Sequence, residues 1–203
     1  MRRAPCNLRG LSYAAGMVLL AFFAIEYCTP AQAMPLSTVQ ATVPMSDHGS
    51  PSFQLDARGF VHVPPQQAWQ VLTDYEHLPT FVPDLLRSKV LSRGPHEATI
   101  EQVSRAGFLF VSHTVHMVVH VDERPFSAID VTLVSGDLRY YRAHWALAET
   151  TRQGESGTLI TYSGELAPKF YLPPLIAQPL AQAQVHRMVA AVISEIEARG
   201  RQR

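Results

Sequence analysis

The stretch Phe53-Gln54-Leu55-Asp56-Ala57-Arg58-Gly59-Phe60-Val61-His62-Val63-Pro64-Pro65-Gln66-Gln67-Ala68-Trp69-Gln70-Val71-Leu72-Thr73-Asp74-Tyr75 contains a change of hydrophobic period. Phe53, Leu55, Ala57, Gly59, Val61 and Val63 alternate with Gln54, Asp56, Arg58 and His62, which predicts a half-buried strand. Pro64-Pro65 ends it, because proline donates no backbone hydrogen bond and suits the first turn of a helix. Ala68, Trp69, Leu72 and Tyr75 then fall at helical spacing and predict a helix over 66–75. A second short helix or turn is expected over 78–86, punctuated by Pro79 and Pro83.

Downstream the pattern is strand-like. Segments 87–92, 98–104, 108–121, 128–134, 138–148 and 158–166 are separated by turn signals such as Gly94-Pro95, Arg124-Pro125 and Ser135-Gly136-Asp137. Short alternating runs between turn residues are the mark of an antiparallel meander. The chain closes on a helix over 175–199, with Ala181, Val185, Met188, Val189, Val192 and Ile196 in one apolar stripe. Gly200 stands at the place of a C-terminal cap, and Pro179 is expected in the first turn or at a kink.

The order is strand, two short helices, six strands, long helix: an α+β fold. One face of an antiparallel sheet must be covered, and the long amphipathic helix is the element able to do it. At about 1.5 Å per residue it reaches roughly 35 Å, enough to cross the sheet. A twisted sheet wrapped around one helix cannot close flush against it, so an apolar cavity is expected between them.

Upstream, Arg2, Arg3 and Arg9 precede an apolar run over 11–25, and Ala31-Gln32-Ala33 offers a cleavage site. This reads as a secretory signal peptide over 1–33, with an uncleaved anchor as the alternative. The run is shorter than the roughly 20 residues of a spanning helix. Cys28 lacks the preceding residues that lipid attachment requires. Residues 34–51 read as a flexible linker and 52–200 as the domain.

The whole chain has 203 residues, 47% hydrophobic, with 17 basic and 17 acidic residues. Without residues 1–33 it keeps 170 residues, 14 basic against 16 acidic, and neither Cys6 nor Cys28. No disulfide can then form, so stability must come from a buried core. The balance lacks the basic footprint of a nucleic-acid binder.

The run Val63–Pro79, with Gly136-Asp137, Trp145-Ala146-Leu147 and Thr158-Leu159-Ile160-Thr161-Tyr162, resembles the START-related SRPBCC superfamily, and within it the polyketide cyclase/dehydrase and coenzyme Q-binding COQ10-type branch. The resemblance covers 53–199. It implies a helix-grip fold, a twisted antiparallel sheet wrapped around a long C-terminal helix with two short helices after the first strand, and a deep hydrophobic cavity. Members bind lipids, quinones, polyketides or hormone-like small molecules, and some are enzymes.

Candidate site residues follow from the alternation. If Trp145 and Leu147 face inward, so do Arg139 and Tyr141, near the cavity mouth. There an arginine can pair with a carboxylate, enolate or quinone oxygen, or else sit at the rim on Asp137, Glu101 or solvent. Tyr162 joins Ile160 and Leu166 inside, where its hydroxyl needs a partner. His113 is read as a core or cavity-lining histidine, and Phe170, Tyr171, Leu175 and Met188 as pocket walls. Trp69 and Tyr75 read as packing residues, and Asp74 as a turn or cap.

Nine histidines invite a metal, but His116 and His120, four residues apart on a strand, stand roughly 13 Å apart. Zinc binds nitrogen at about 2 Å, so one ion cannot take both, and no metal is expected. No nucleophile elbow, His-Glu-x-x-His or phosphate loop is present in the sequence. The expectation is an exported, periplasmic binding or carrier domain without a cofactor, its ligand a lipid, isoprenoid quinone or similar apolar molecule, with transient membrane contact left open. The alternative on the same scaffold is a cyclase or dehydratase acting on an aromatic or polyketide-like substrate by general acid/base chemistry from His113, Arg139 and Tyr162.

Overall fold

The computed structural model describes residues 38–42, 52–108, 111–169 and 174–202, with backbone alone at 38–42, 106–108, 111–112 and 174–178. The chain divides into two compact units, Met1–Gln32 and Ala33–Arg203, and all described residues lie in the second. The expected signal peptide therefore lies outside the described residues.

Eight strands form one antiparallel sheet: β1 (Thr38–Thr42), β2 (Phe53–Val61), β3 (Leu85–Arg93), β4 (Glu97–Phe108), β5 (Val111–Arg124), β6 (Ala128–Gly136), β7 (Leu138–Arg152) and β8 (Glu155–Pro168). Their order is β1-β2-β8-β7-β6-β5-β4-β3. The helices are α1 (Pro65–Leu72) and α2 (Pro174–Arg201), with a single 3-10 turn at Leu78–Thr80. The expected α+β helix-grip architecture is present, with four corrections.

Within the stretch expected to be a loose linker, Thr38–Thr42 pairs with Arg58–Gln54 of β2 and supplies an edge strand. The second short helix is only the 3-10 turn, because Pro79 and Pro83 interrupt the segment and Asp84, at φ 65°, turns the chain into β3. The strand expected over 108–121 is two: Phe108 ends β4, and β5 starts at Val111 and pairs back on β4 along its whole length. Gly200 lies inside α2 rather than beyond it. A Cβ there would stand 2.5 Å from Val63 Cγ1, so the glycine serves close helix-to-strand packing.

Local chemistry explains the joints. Pro64 adopts φ −68°, ψ 158° as the cap of α1, with Pro65 in its first turn. The Val63 carbonyl, left without a ladder partner by the prolines, accepts a 2.7 Å bond from the fully buried Thr158 hydroxyl. Gly136, at φ +135°, makes the β6–β7 turn, where a Cβ would meet the His116 carbonyl oxygen at 2.3 Å.

Leu55, Val61, Ile100, Val119, Val121 and Ile160 from the sheet meet Val185, Val189, Val192 and Ile196 of α2 in the core. Each such burial is worth about 1.5–3 kcal/mol. The C-terminal half of α2 is tied to the loops: Glu197 accepts the His62 backbone N–H at 2.6 Å, and Arg199 pairs with Asp74 at 2.9 Å. Burial pushes the Asp74 carboxyl up, but hydrogen bonds from Arg199 and His77 outweigh it and hold the group below its ordinary value.

Candidate functional site

Where the N-terminal half of α2 crosses the sheet, a cavity of about 310 Å³ remains, at the lower end of ordinary small-molecule pockets. Its floor is apolar: Val115, Met117, Val119 and Val121 of β5 with Ile129 and Val131 of β6. Ala181, Val185 and Met188 of α2 cover it. Strand alternation puts every second residue of β5 there, which sends His116 and His120 to the outer face.

Polar groups enter at three places. On β7 and β8 the cross-strand pairs Trp145–Tyr162, Ala143–Gly164 and Tyr141–Leu166 set Tyr141 and Tyr162 diagonally on the inner face. The Trp145 and Tyr162 rings meet edge-on at 4.8 Å. The Tyr141 and Tyr162 hydroxyls hydrogen-bond each other. Burial pushes both hydroxyls above the ordinary tyrosine value, and for Tyr162 the proximity of Tyr141 and the Asp56 charge adds to it. Both are therefore neutral hydrogen-bonding groups at neutral pH.

At the inner end, the Tyr75 hydroxyl donates to Glu123 Oε1 at 2.7 Å, and Arg93 Nη2 stands 3.1 Å from the same oxygen while its guanidinium lies over the Tyr75 ring. Burial and the bond to Glu123 hold the Tyr75 hydroxyl far above its usual value. Along β4, Gln102 and Ser104 face the cavity.

The mouth lies between the segment ending at Leu85, the Ser104–Arg105 end of β4, and the 180–188 part of α2. Asp84 Oδ2 accepts a 2.9 Å bond from Arg187, and Gln184 Nε2 donates to the Arg105 carbonyl at 3.1 Å. Two side-chain contacts thus span the opening.

Of the eight predicted site residues, Tyr141, Tyr162 and Met188 line the cavity. Phe170 and Tyr171 lie outside the described residues, and so does the side chain of Leu175, which sits in the first turn of α2. Arg139 and His113 are exposed, outside the cavity lining, and engaged in contacts of their own. The expected inward placement of Arg139 is corrected by a register shift between Leu138 and Tyr140, which turns Leu138 inward and Arg139 out. His113 has the inward parity, but it lies two residues past Val115, beyond the part of β5 that lines the cavity.

The arginine at the mouth is Arg105, and the inner tyrosine is Tyr75, which sequence reading assigned to packing alone. The alternation of β4 carried the signal for Gln102 and Ser104. Nothing in the sequence placed Glu123 against Tyr75. Among the described residues, Glu97, His120 and Asp122 bring ligand atoms within 4.8 Å of one another, but on the outer face of the sheet, where two of the three are exposed.

The model of the family described as polyketide cyclase / dehydrase and lipid transport matches residues 61–193. No curated protein matches the chain. Among solved structures, the chain is similar to the Zhui aromatase/cyclase of Streptomyces sp. R1128 (16% identity, TM-score 0.58, covering 73% of this chain and 95% of that one). It is similar to a START superfamily protein from Mycobacterium smegmatis (14%, TM-score 0.59, 71% and 97%). A third is a STAR-related lipid transfer protein fragment from Xanthomonas axonopodis (13%, TM-score 0.55, 77% and 98%). At these identities the likeness is one of fold. Taken with the family match from the end of β2 through α1 and the meander to the greater part of α2, it makes the chain a member of the polyketide cyclase/dehydrase and lipid transport family, built on the START-type helix-grip fold.

Proposed function

We propose that the protein is an exported carrier that encloses one hydrophobic small molecule, a lipid, isoprenoid quinone or similar ligand, between the sheet and α2. The observation that carries this reading is the apolar cavity of about 310 Å³ with a neutral tyrosine pair set into one wall. Affinity comes from burial, at roughly 25 cal/mol per Å² of apolar surface. Orientation comes from the Tyr141–Tyr162 hydroxyl pair: one hydrogen bond joins the two, so the accepting member keeps its proton for a ligand carbonyl or hydroxyl. Export is inferred from Arg2, Arg3 and Arg9, the apolar run over 11–25 and the Ala31-Gln32-Ala33 site.

Titration with a fluorescent apolar probe, displaced by candidate quinones and lipids, tests the reading. Stoichiometric displaceable binding, lost when Ala181→Phe fills the space under α2, supports it. A probe that fails to enter overturns it.

A second reading, a cyclase or dehydratase, draws on the same tyrosine pair as a proton donor beside an apolar substrate. With His113 and Arg139 outside the cavity, it would have to work through Tyr141, Tyr162 and the mouth residue Arg105. Turnover that Tyr162→Phe abolishes while binding survives would select it.

A further inference from the structure

The end of the sheet at which the cavity opens differs in charge from the opposite end. Arg105, Arg139, Lys169 and Arg187 are all exposed there. They form two groups, Arg105 and Arg187 joined through Gln184 and Asp84, and Arg139 and Lys169 joined at the β6–β7 turn, where Lys169 Nζ donates to the Gly136 carbonyl and the Lys169 N–H to the Asp137 carbonyl. Strand order puts the ends of β4, β6 and β8 and the starts of β3 and β7 at this one end of the sheet. Asp84 at this end pairs with Arg187, and the Asp137 carboxylate accepts the His116 backbone N–H at 2.8 Å.

The far end, near the hairpin turns and the last turns of α2, carries Glu97, Asp122, Glu149, Glu155 and Glu197 beside Arg152 and Arg201, while Arg93, Arg124 and Arg199 there are each paired with a carboxylate. A chain that is slightly acidic from residue 34 onward thus presents a cationic rim around its cavity mouth. Two large apolar side chains are exposed at the same end, Leu86 at 46% beside the start of β3 and Val134 at 59% just before the β6–β7 turn.

We propose that this rim is a docking surface for an anionic phospholipid bilayer. Arg105, Arg139, Lys169 and Arg187 would meet headgroup phosphates, while Leu86 and Val134 enter the interfacial layer. The chemistry fits on three counts. Guanidinium and ammonium groups are attracted to anionic lipid within a screening length of the surface. Exposed apolar residues among basic ones are what interfacial binding uses. The docked orientation sets the cavity mouth against the membrane, and a phosphate that takes Arg187 from Asp84 removes one of the two contacts across the opening. The inference does not depend on which molecule the cavity holds.

The test is co-sedimentation of the Ala33–Arg203 unit, which contains the complete sheet, helix and core, with phosphatidylglycerol-rich and with pure phosphatidylcholine vesicles. Binding is expected to the first only, and to be lost at about 1 M salt, where the screening length is about 3 Å. Arg139→Gln with Lys169→Gln should weaken binding roughly 30-fold, at about fivefold per charge. Arg152→Gln with Arg201→Gln removes the same net charge at the far end and should leave binding within twofold. Equal loss from both pairs, equal binding to both vesicle types, or no binding to phosphatidylglycerol would each overturn the proposal.

Discussion

Tyr162 extends along β8 over Gly164, where a Cβ would stand 2.4 Å from the Tyr162 hydroxyl oxygen. The missing side chain is the space through which that hydroxyl reaches Tyr141. Gly164→Ala must therefore displace Tyr162 and break the pair. Overpacking of this kind costs about 1–3 kcal/mol, against about 1 kcal/mol for Tyr162→Phe, which deletes only the hydrogen bond. Urea midpoints measure both. A neutral Gly164→Ala, the ordinary result for a glycine in a strand, would show that the tyrosine does not lie there.

Gly200 gives a prediction of opposite sign to the usual rule. In an exposed helix Gly→Ala gains about 1 kcal/mol, but here the new methyl meets Val63 Cγ1 at 2.5 Å. Valine is held by its branched χ1 and cannot easily yield. Gly200→Ala should lower stability, and the same change in a Val63→Ala background should raise it. Thermal midpoints of the four proteins decide the matter.

Alkaline behaviour follows from Tyr75, Tyr141 and Tyr162, whose hydroxyls are all held above the ordinary value of 10.0. The folded chain keeps these protons while the unfolded chain releases them near pH 10. Their contribution to stability is thus complete below pH 10 and is lost as pH rises above it, by roughly 1.4 kcal/mol per pH unit for each. Phenolate absorbance should show these three of the seven tyrosines ionising together with unfolding. Their titration in the folded state near pH 10 would contradict the buried placement.

The Asp84–Arg187 pair joins side chains 34% and 52% exposed, so it contributes little to stability, about 0–1 kcal/mol. Its effect should be kinetic. Arg187→Gln is expected to speed ligand entry and exit together, with the dissociation constant almost unchanged and the urea midpoint within error. Stopped-flow exchange of an apolar probe reads this directly; a change in affinity alone would place Arg187 in contact with the ligand instead.

The alternation of β2, the prolines at 64 and 65 and the stripe of α2 were enough to state the architecture, because each concerns which face of an element is apolar. Tyr141, Tyr162 and Met188 were legible for the same reason. Arg139 was misplaced because one register shift reverses the parity of everything before it on the strand, and a bulge leaves little trace in composition. His113 failed differently: parity fixes the face of the sheet but not how far along the strand the cavity extends. The Tyr75–Glu123–Arg93 contact joins three elements far apart in sequence, and no local period reports such a meeting.

The central claim is enclosure of a hydrophobic molecule, and native mass spectrometry of the protein purified without detergent from its own cells tests it most directly. The account predicts a bound apolar molecule at one per chain, released by organic extraction and absent from the Ala181→Phe protein. An empty chain that also refuses every apolar probe added to it would contradict the account.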